Sequence, residues 1–265
     1  MDNPSVTIAV SALLQNRLKP QPFPGLPDAC RPANLTEAYD LQEALNVALT
    51  DAGLGNVVGH KVGCTSRVMQ EYMKISHPCS GSIFQHSVYK SPVSLSSNLF
   101  NNVGIECEIA VRLSKDCPPS GEPYTLSSVF ERVKSCMSAI EIVDNRYEDF
   151  RTLDLETMVS DDFFQAACVL GKEITDWQNI NLADVTGRAI VNEVEVETGQ
   201  GSDILGHPFE ALAWLANHKI ARKNYLRSGE IVLLGSVVRT QWLSPGDKAR
   251  IEIDELETIS VEFSV

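Results

Sequence analysis

The stretch Gly104-Ile105-Glu106-Cys107-Glu108-Ile109-Ala110-Val111 constrains this chain more than any other. Its apolar and β-branched residues, with no Gly or Pro inside the run, predict a β-strand. Side chains two apart in a strand share a face. Glu106 and Glu108 therefore project one way, and Ile105, Cys107 and Ile109 the other. The strand runs straight into Ala110-Val111, which predicts burial. On a wet surface such a pair needs no explanation, since lone charges are usually surface features. Buried, two carboxylates this close repel each other and are costly without a counter-ion. The economical solution is a divalent cation held by oxygen ligands. A second strand-like stretch, Ala139-Ile140-Glu141-Ile142-Val143-Asp144-Asn145-Arg146, carries Glu141 in an equally apolar setting. Glu141 would complete a three-carboxylate site.

The 265 residues suffice for one large domain, or one domain with a small appendage. A net charge of -13 argues against nucleic acid, whose phosphates need clustered Lys and Arg. It does not exclude an anionic substrate, because a bound cation reverses the local field. No apolar run of about 18 residues is present, so no membrane span is expected. The opening residues lack the basic segment, apolar core and small-residue cleavage site of a secretory leader. The 7 cysteines are scattered, with no Cys-x-x-Cys pair, which suits reduced thiols in a cytoplasmic setting.

Residues 1–55 form a small helical N-terminal region, expected to pack on the rest of the chain or on another subunit, and residues 56–265 the main domain. An amphipathic helix is expected over 4–19, a Pro-rich link over 19–27, and a helix capped by Thr36 that runs to about Ala52 and stops at Gly53 and Gly55. Val57–Gly63 reads as a strand carrying Lys61, which either snorkels to the surface or is partly buried with a function. Thr65 or Ser66 caps a short helix over 67–73, and its free N–H groups could hold a carboxylate. Residues 76–82, with His77 and Cys79, read as a loop. Ser128 with Glu131 predicts a capping box and a helix to about Ser138. Residues 187–197 alternate as one strand with a turn at 198–201. Pro208 opens a helix to Ile220 with Trp214 and Leu215 inward, and 230–235, 248–254 and 258–264 read as closing strands. No phosphate-binding Gly loop or Ser-His-Asp pattern appears.

Taken together, Gly59-His60-Lys61-Val62-Gly63-Cys64-Thr65-Ser66, Glu106-Cys107-Glu108, Glu141-Ile142-Val143-Asp144 and Leu234-Gly235-Ser236 resemble the 2-keto-4-pentenoate hydratase / 4-oxalocrotonate decarboxylase group of the fumarylacetoacetate hydrolase fold superfamily. The resemblance extends over most of the chain. It implies an α+β fold, with a mixed β-roll core of the fumarylacetoacetate hydrolase type and an N-terminal helical region, in a homo-oligomer. It implies Mg²⁺ or Mn²⁺ on carboxylates that match Glu106, Glu108 and Glu141, and a catalytic Lys that matches Lys61. Where relatives usually carry an Asp in a Pro-Asp-x-Gly-like loop, this chain has Pro78-Cys79-Ser80-Gly81. Where they usually run Asp-Asn-Ala-Ser-Ser, it has Asp161-Asp162-Phe163-Phe164-Gln165.

The expected activity is a metal-dependent lyase adding water to a 2-oxo-4-enoate (2-hydroxy-2,4-dienoate). Decarboxylation of a 2-oxo-3-enedioate and C–C hydrolysis of an acylpyruvate are the enzymatic alternatives, and a catalytically silent binding member of the fold is the other. Lys61 would move a proton or hold the substrate, with its pKa lowered by burial or raised by the carboxylates. Cys64, Thr65, Ser66, Cys79, Asp161, Phe164 and Ser236 are the expected substrate-binding residues. Phe163 and Phe164 in place of small polar residues suggest a drier pocket that favours mono-acids with an apolar tail.

Overall fold

The structure, a computed structural model, describes residues 3–265, with side chains described from Pro4 onward. The chain opens with two helices, α1 (Asn3–Leu18) and α2 (Leu35–Leu49). Asn34, not Thr36, caps α2, its side-chain oxygen accepting from the Glu37 N–H at 3.0 Å. Leu35 packs against the neighbouring apolar cluster, so the helix begins there and the cap falls one residue before it. Past Leu49 the backbone widens into a π-turn over Thr50–Leu54, which Gly53 and Gly55 end with φ of 101° and 80°. Ala9, Leu13, Leu41, Leu45 and Leu49 bury one face of each helix against each other and against Phe84.

The other helices are α3 (Arg67–Met73), α4 (Leu126–Phe130), α5 (Leu155–Ser160) and α6 (Pro208–Ala221). The larger sheet takes β1 (Val57–Gly63), β2 (Cys79–Phe84), β3 (Val88–Lys90), β5 (Val103–Leu113), β6 (Val133–Asp144), β7 (Gln165–Leu170) and β10 (Ile231–Ser236) in the order β2-β1-β10-β5-β6-β7-β3. The short β11 (Gln241–Trp242) pairs with the beginning of β5. The second sheet orders β4 (Val93–Ser96), β13 (Ile259–Ser264), β12 (Lys248–Ile253), β8 (Thr186–Val191) and β9 (Val194–Gln200). Ile105, Cys107, Ile109, Ile140 and Ile142 of the first sheet share one core with Ile251 and Phe263 of the second and with Phe209, Leu212 and Leu215 of α6. The alternation expected of the Glu106 strand is thus present, with its apolar face in the main core. No helix among the described residues is long and apolar enough to cross a membrane.

Three segments differ from expectation. The capping box is Thr125 with Ser128, α4 is little more than a single turn, and the chain enters β6 by Val133. Small residues such as Ser135, Ser138 and Ala139 are weak strand formers. They are extended because β6 lies between β5 and β7, buried on both faces. The stretch read as a loop holds β2, a fully buried strand antiparallel to β1. Its polar backbone is met from outside the sheet: Gln42 donates to the Ser80 carbonyl at 3.0 Å, and the Ser82 N–H donates to Asp162 at 2.9 Å. The single strand expected over 187–197 is a hairpin, β8 and β9, turned at Asn192 and Glu193 with φ of 49° and 65°. In α6, Leu215 is fully buried as expected, whereas Trp214 is partly buried and stacks on His218 at 4.9 Å.

Glu173 ties the distal ends of β5 and β6 together. It accepts from Arg112 Nε at 2.6 Å, from the Ser135 hydroxyl at 2.8 Å and from Lys134 at 3.3 Å. Partial burial opposes its ionised form, but these donors prevail and hold the carboxyl at about 2, below its ordinary 4.5. A depressed carboxyl pKa contributes stability above the unfolded value, and that contribution is lost as pH falls through the folded one. Discounted for solvent screening, Glu173→Gln should cost about 1 kcal/mol at pH 7. In urea titrations at stepped pH, the gap to the parent should close between the ordinary value of 4.5 and about 2. A gap that stays constant over that range would show that the charge of Glu173 is not what stabilises.

Candidate metal centre and its lysine

The β5–β6 register sets Glu106 directly opposite Glu141, with Glu108 two residues along and opposite Ala139. One carboxylate oxygen from each of the three lies within 4.8 Å of the others. Glu108 and Glu141 are fully buried, while Glu106 is partly exposed and marks the open side. The Thr240 hydroxyl donates to Glu106 Oε1. The Gly235 N–H donates to Glu108 Oε2 at 2.6 Å. Glu108 Oε1 and both oxygens of Glu141 have no hydrogen-bond partner. Carboxylate oxygens left bare in the interior are costly, and a hard divalent cation takes such oxygens as ligands. The donor set therefore fits a metal ion.

Gly235 is where the backbone closes on this centre. Its φ is +125°, and a Cβ there would stand 2.3 Å from the Thr65 hydroxyl. Only glycine lets the β10 bulge bring an N–H onto Glu108.

Lys61 reaches the carboxylates from β1. It is 2% exposed, and its Nζ lies 3.0 Å from Glu141 Oε1, though without hydrogen-bond alignment to it. Its aligned bond goes to the Phe163 carbonyl at 2.9 Å, and it stands 5.1 Å from the centre of the Phe163 ring. Burial would lower the Lys61 pKa, but the charges of Glu141 and Glu106 outweigh it and the pKa is raised. Lys61 is thus buried beside the carboxylates and does not snorkel to the surface. Burial first, then mutual repulsion, drives Glu108 well above the usual carboxylate range. Glu141 is pushed up by burial to about 7, with Lys61 pulling the other way.

The remaining sequence-predicted residues fall into two groups. Cys64 is buried with φ of 56°, Thr65 packs on Gly235, and Ser66 caps α3, accepting from the Met69 N–H at 3.3 Å. Cys79 pairs with Gly63 across β1–β2 and shares an apolar cluster with Cys64, Phe163 and Phe164. Ser236 lies opposite Glu108, its hydroxyl 2.7 Å from the Val238 carbonyl. Asp161 is separate from the triad. Arg146 donates to it at 2.9 Å, the Tyr147 hydroxyl at 3.2 Å, and Arg17 of α1 stands 3.4 Å away. Arg17 also holds Asp162 at 2.6 Å. Sequence reasoning missed Thr240, the Gly235 N–H, the Phe163 carbonyl and Arg17. Gly235 was legible as the end of a strand, but a single Thr and two backbone groups leave no pattern to find. A surface cavity of about 640 Å³, lined by Asp176, Asp184, Asp254 and Glu255 among others, shares no residue with this centre.

Residues 59–263 match the family described as fumarylacetoacetate (FAA) hydrolase C-terminal. The chain is 30% identical over 218 residues to the 2-hydroxyhexa-2,4-dienoate hydratase of Comamonas testosteroni, a match that covers 82% of this chain and 81% of that one. It is 28% identical over 228 residues to the 4-oxalocrotonate decarboxylase of Pseudomonas putida, covering 86% and 84%. Among solved structures it is similar to 4-oxalocrotonate decarboxylase from Pseudomonas putida G7 complexed with magnesium and adipate. There the TM-score is 0.92 and the identity 22%, over 99% of this chain and 98% of that one, a likeness of fold. With the carboxylate centre set in this mixed α+β roll and the family match running through nearly all of it, the chain belongs to the fumarylacetoacetate hydrolase family.

Proposed function

We propose that this chain is a metal-dependent hydro-lyase that adds water to a 2-oxo-4-enoate, giving a 4-hydroxy-2-oxo acid. The observation that carries this reading is the triad of Glu106, Glu108 and Glu141, two of them fully buried, with three oxygens that accept no hydrogen bond and the Lys61 amine beside it. The hydratase relative supports the substrate class. Mg²⁺ or Mn²⁺ held by the triad would supply Lewis acidity to a 2-oxo carboxylate. Thr240 and Gly235 hold Glu106 and Glu108 in place for that task. Lys61, fixed by the Phe163 carbonyl beside Glu141, would move a proton or hold the substrate next to the metal. Cys64, Thr65, Ser66, Cys79, Phe164 and Ser236 are assigned to the substrate wall. Asp161 acts from behind it, holding Arg146 and Arg17. The enzyme is assigned to the cytoplasm, in keeping with 7 cysteines that are all free and buried, and to a homo-oligomer, as the family resemblance implies.

Decarboxylation of a 2-oxo-3-enedioate is the second reading, supported by the decarboxylase relative at similar identity. Turnover of both substrate classes with Mg²⁺ present separates the two, because one releases carbon dioxide and the other a hydroxy acid. Carbon dioxide from an enedioate, with no hydration of any 2-oxo-4-enoate, would reverse the assignment.

Two substitutions test the roles of the residues. Glu106→Gln and Glu108→Gln keep shape and remove charge. Each should weaken Mg²⁺ binding by at least about tenfold in calorimetry, equivalent to about 1.4 kcal/mol, and remove the rise in melting temperature that the ion produces. Unchanged ion binding in both variants would remove the triad from consideration. Lys61→Met keeps the aliphatic stem. It should lower kcat by about 10²-fold or more while Mg²⁺ affinity changes little. Parent-like turnover in that variant would leave Lys61 a structural role only.

A further inference from the structure

A continuous run of rings leads away from Lys61. Phe163 lies under the ammonium, and Phe164 meets it edge-on at 5.9 Å. Phe150 meets Phe164 at 6.1 Å, and Trp242 meets Phe150 at 6.2 Å. The run passes from the interior to the surface: Phe163 is 9% exposed and Trp242 is 45% exposed. It also returns to the carboxylate centre, because Trp242 pairs with Gly104 of β5 and packs on the face that Glu106 shares. Thr240, two residues before Trp242, is the residue that donates to Glu106. One arc of four aromatic rings therefore flanks the open side of the triad and ends in solvent.

The charges around this arc are already engaged. Behind Phe164, Arg17 and Arg146 are buried on Asp161 and Asp162. At the rim, Arg151, next to Phe150, pairs with Asp149. Arg239, next to Thr240, pairs with Glu197. On the other wall Cys64 and Cys79 are buried thiols in the same apolar cluster as Phe163. A second carboxylate on the substrate would meet rings, thiols and arginines that already hold acidic partners, in a chain of net charge -13.

We infer that this arc binds the end of the substrate remote from the 2-oxo carboxylate, and that the preferred substrates are 2-oxo acids with an aryl or comparably bulky apolar tail. The inference rests on the 2-oxo acid reading of the triad and specifies its substrate class. A tail that enters beside Lys61 stacks in turn on Phe164, Phe150 and Trp242, gaining offset or edge-on ring contacts at each. A short alkyl tail would reach the first ring only. A terminal carboxylate would lose its hydration without compensation.

Binding can be measured apart from turnover. Calorimetry on the Mg²⁺-loaded protein with 2-oxo-4-phenylbutanoate, 2-oxopentanoate and 2-oxoadipate compares aryl, short and anionic tails on acids that have no double bond to hydrate. The aryl acid should bind at least about tenfold more tightly than either of the others. In Trp242→Ala and Phe150→Ala, with folding checked by melting curves, the ratio of aryl to short-tail affinity should fall towards one. A parent that prefers 2-oxoadipate, shows no preference or binds none of the three overturns the inference. So does a ratio that survives both substitutions. A protein that shows the aryl preference but hydrates no 2-oxo-4-enoate upholds the tail site and overturns the hydratase reading instead.

Discussion

Like charge gathered on one face of a buried strand pair is the constraint on which the rest of this molecule depends. Glu106 and Glu141 face each other across β5 and β6, and Glu108 follows on the same side. Three carboxylates in that geometry repel one another strongly at low dielectric. Among the described residues, the basic group set against them is the buried amine of Lys61. Neutralisation is therefore incomplete without protonation or a metal ion. The other oxygen contacts, from Thr240 and Gly235, fix direction and leave the charge as it is. A stable sheet could be built more simply with apolar residues at these positions, so the arrangement makes sense as a site.

Lys61 shows how a charge survives in such a place. Its stem crosses a buried strand, and its head is held by one carboxylate and one carbonyl. The carbonyl belongs to Phe163, the middle of three consecutive residues with φ of 53°, 50° and 66°. Non-glycine residues rarely adopt that conformation, and a run of three is sustained only by firm surroundings. Here the surroundings are Arg17 and Arg146, which grip Asp162 and Asp161 on one flank and reach the Gln165 carbonyl on the other.

Much of this was legible from residue order because it depends on period and type. Alternation placed Glu106 and Glu108 on one face and Ile105, Cys107 and Ile109 in the core. The apolar company of Glu141 placed it in a strand, and the burial of Lys61 was one of two stated outcomes. What failed to show is set by tertiary contacts. Ser135, Ser138 and Ala139 look like no strand until β5 and β7 enclose them. The segment Cys79-Ser80-Gly81-Ser82 is polar enough to read as a loop, and is buried because Gln42 and Asp162 satisfy its backbone. The Asn192-Glu193 turn divides what looked like one strand, since neither residue is glycine. The ring run from Phe163 to Trp242 joins parts of the chain nearly eighty positions apart, beyond the reach of any local pattern.

The grip of Arg17 on Asp162 has a consequence for the first helix. The carboxylate that Arg17 holds and the carbonyl that holds Lys61 belong to adjacent residues, Asp162 and Phe163, so α1 and the Lys61 head group belong to one mechanical unit. The opening of the chain lies outside the matched family segment at 59–263, which invites its treatment as an interchangeable adaptor. It is instead a buttress. Exchange of this helix between relatives, or a fusion that strains it, would be felt at the chemistry through two side chains and a bent loop.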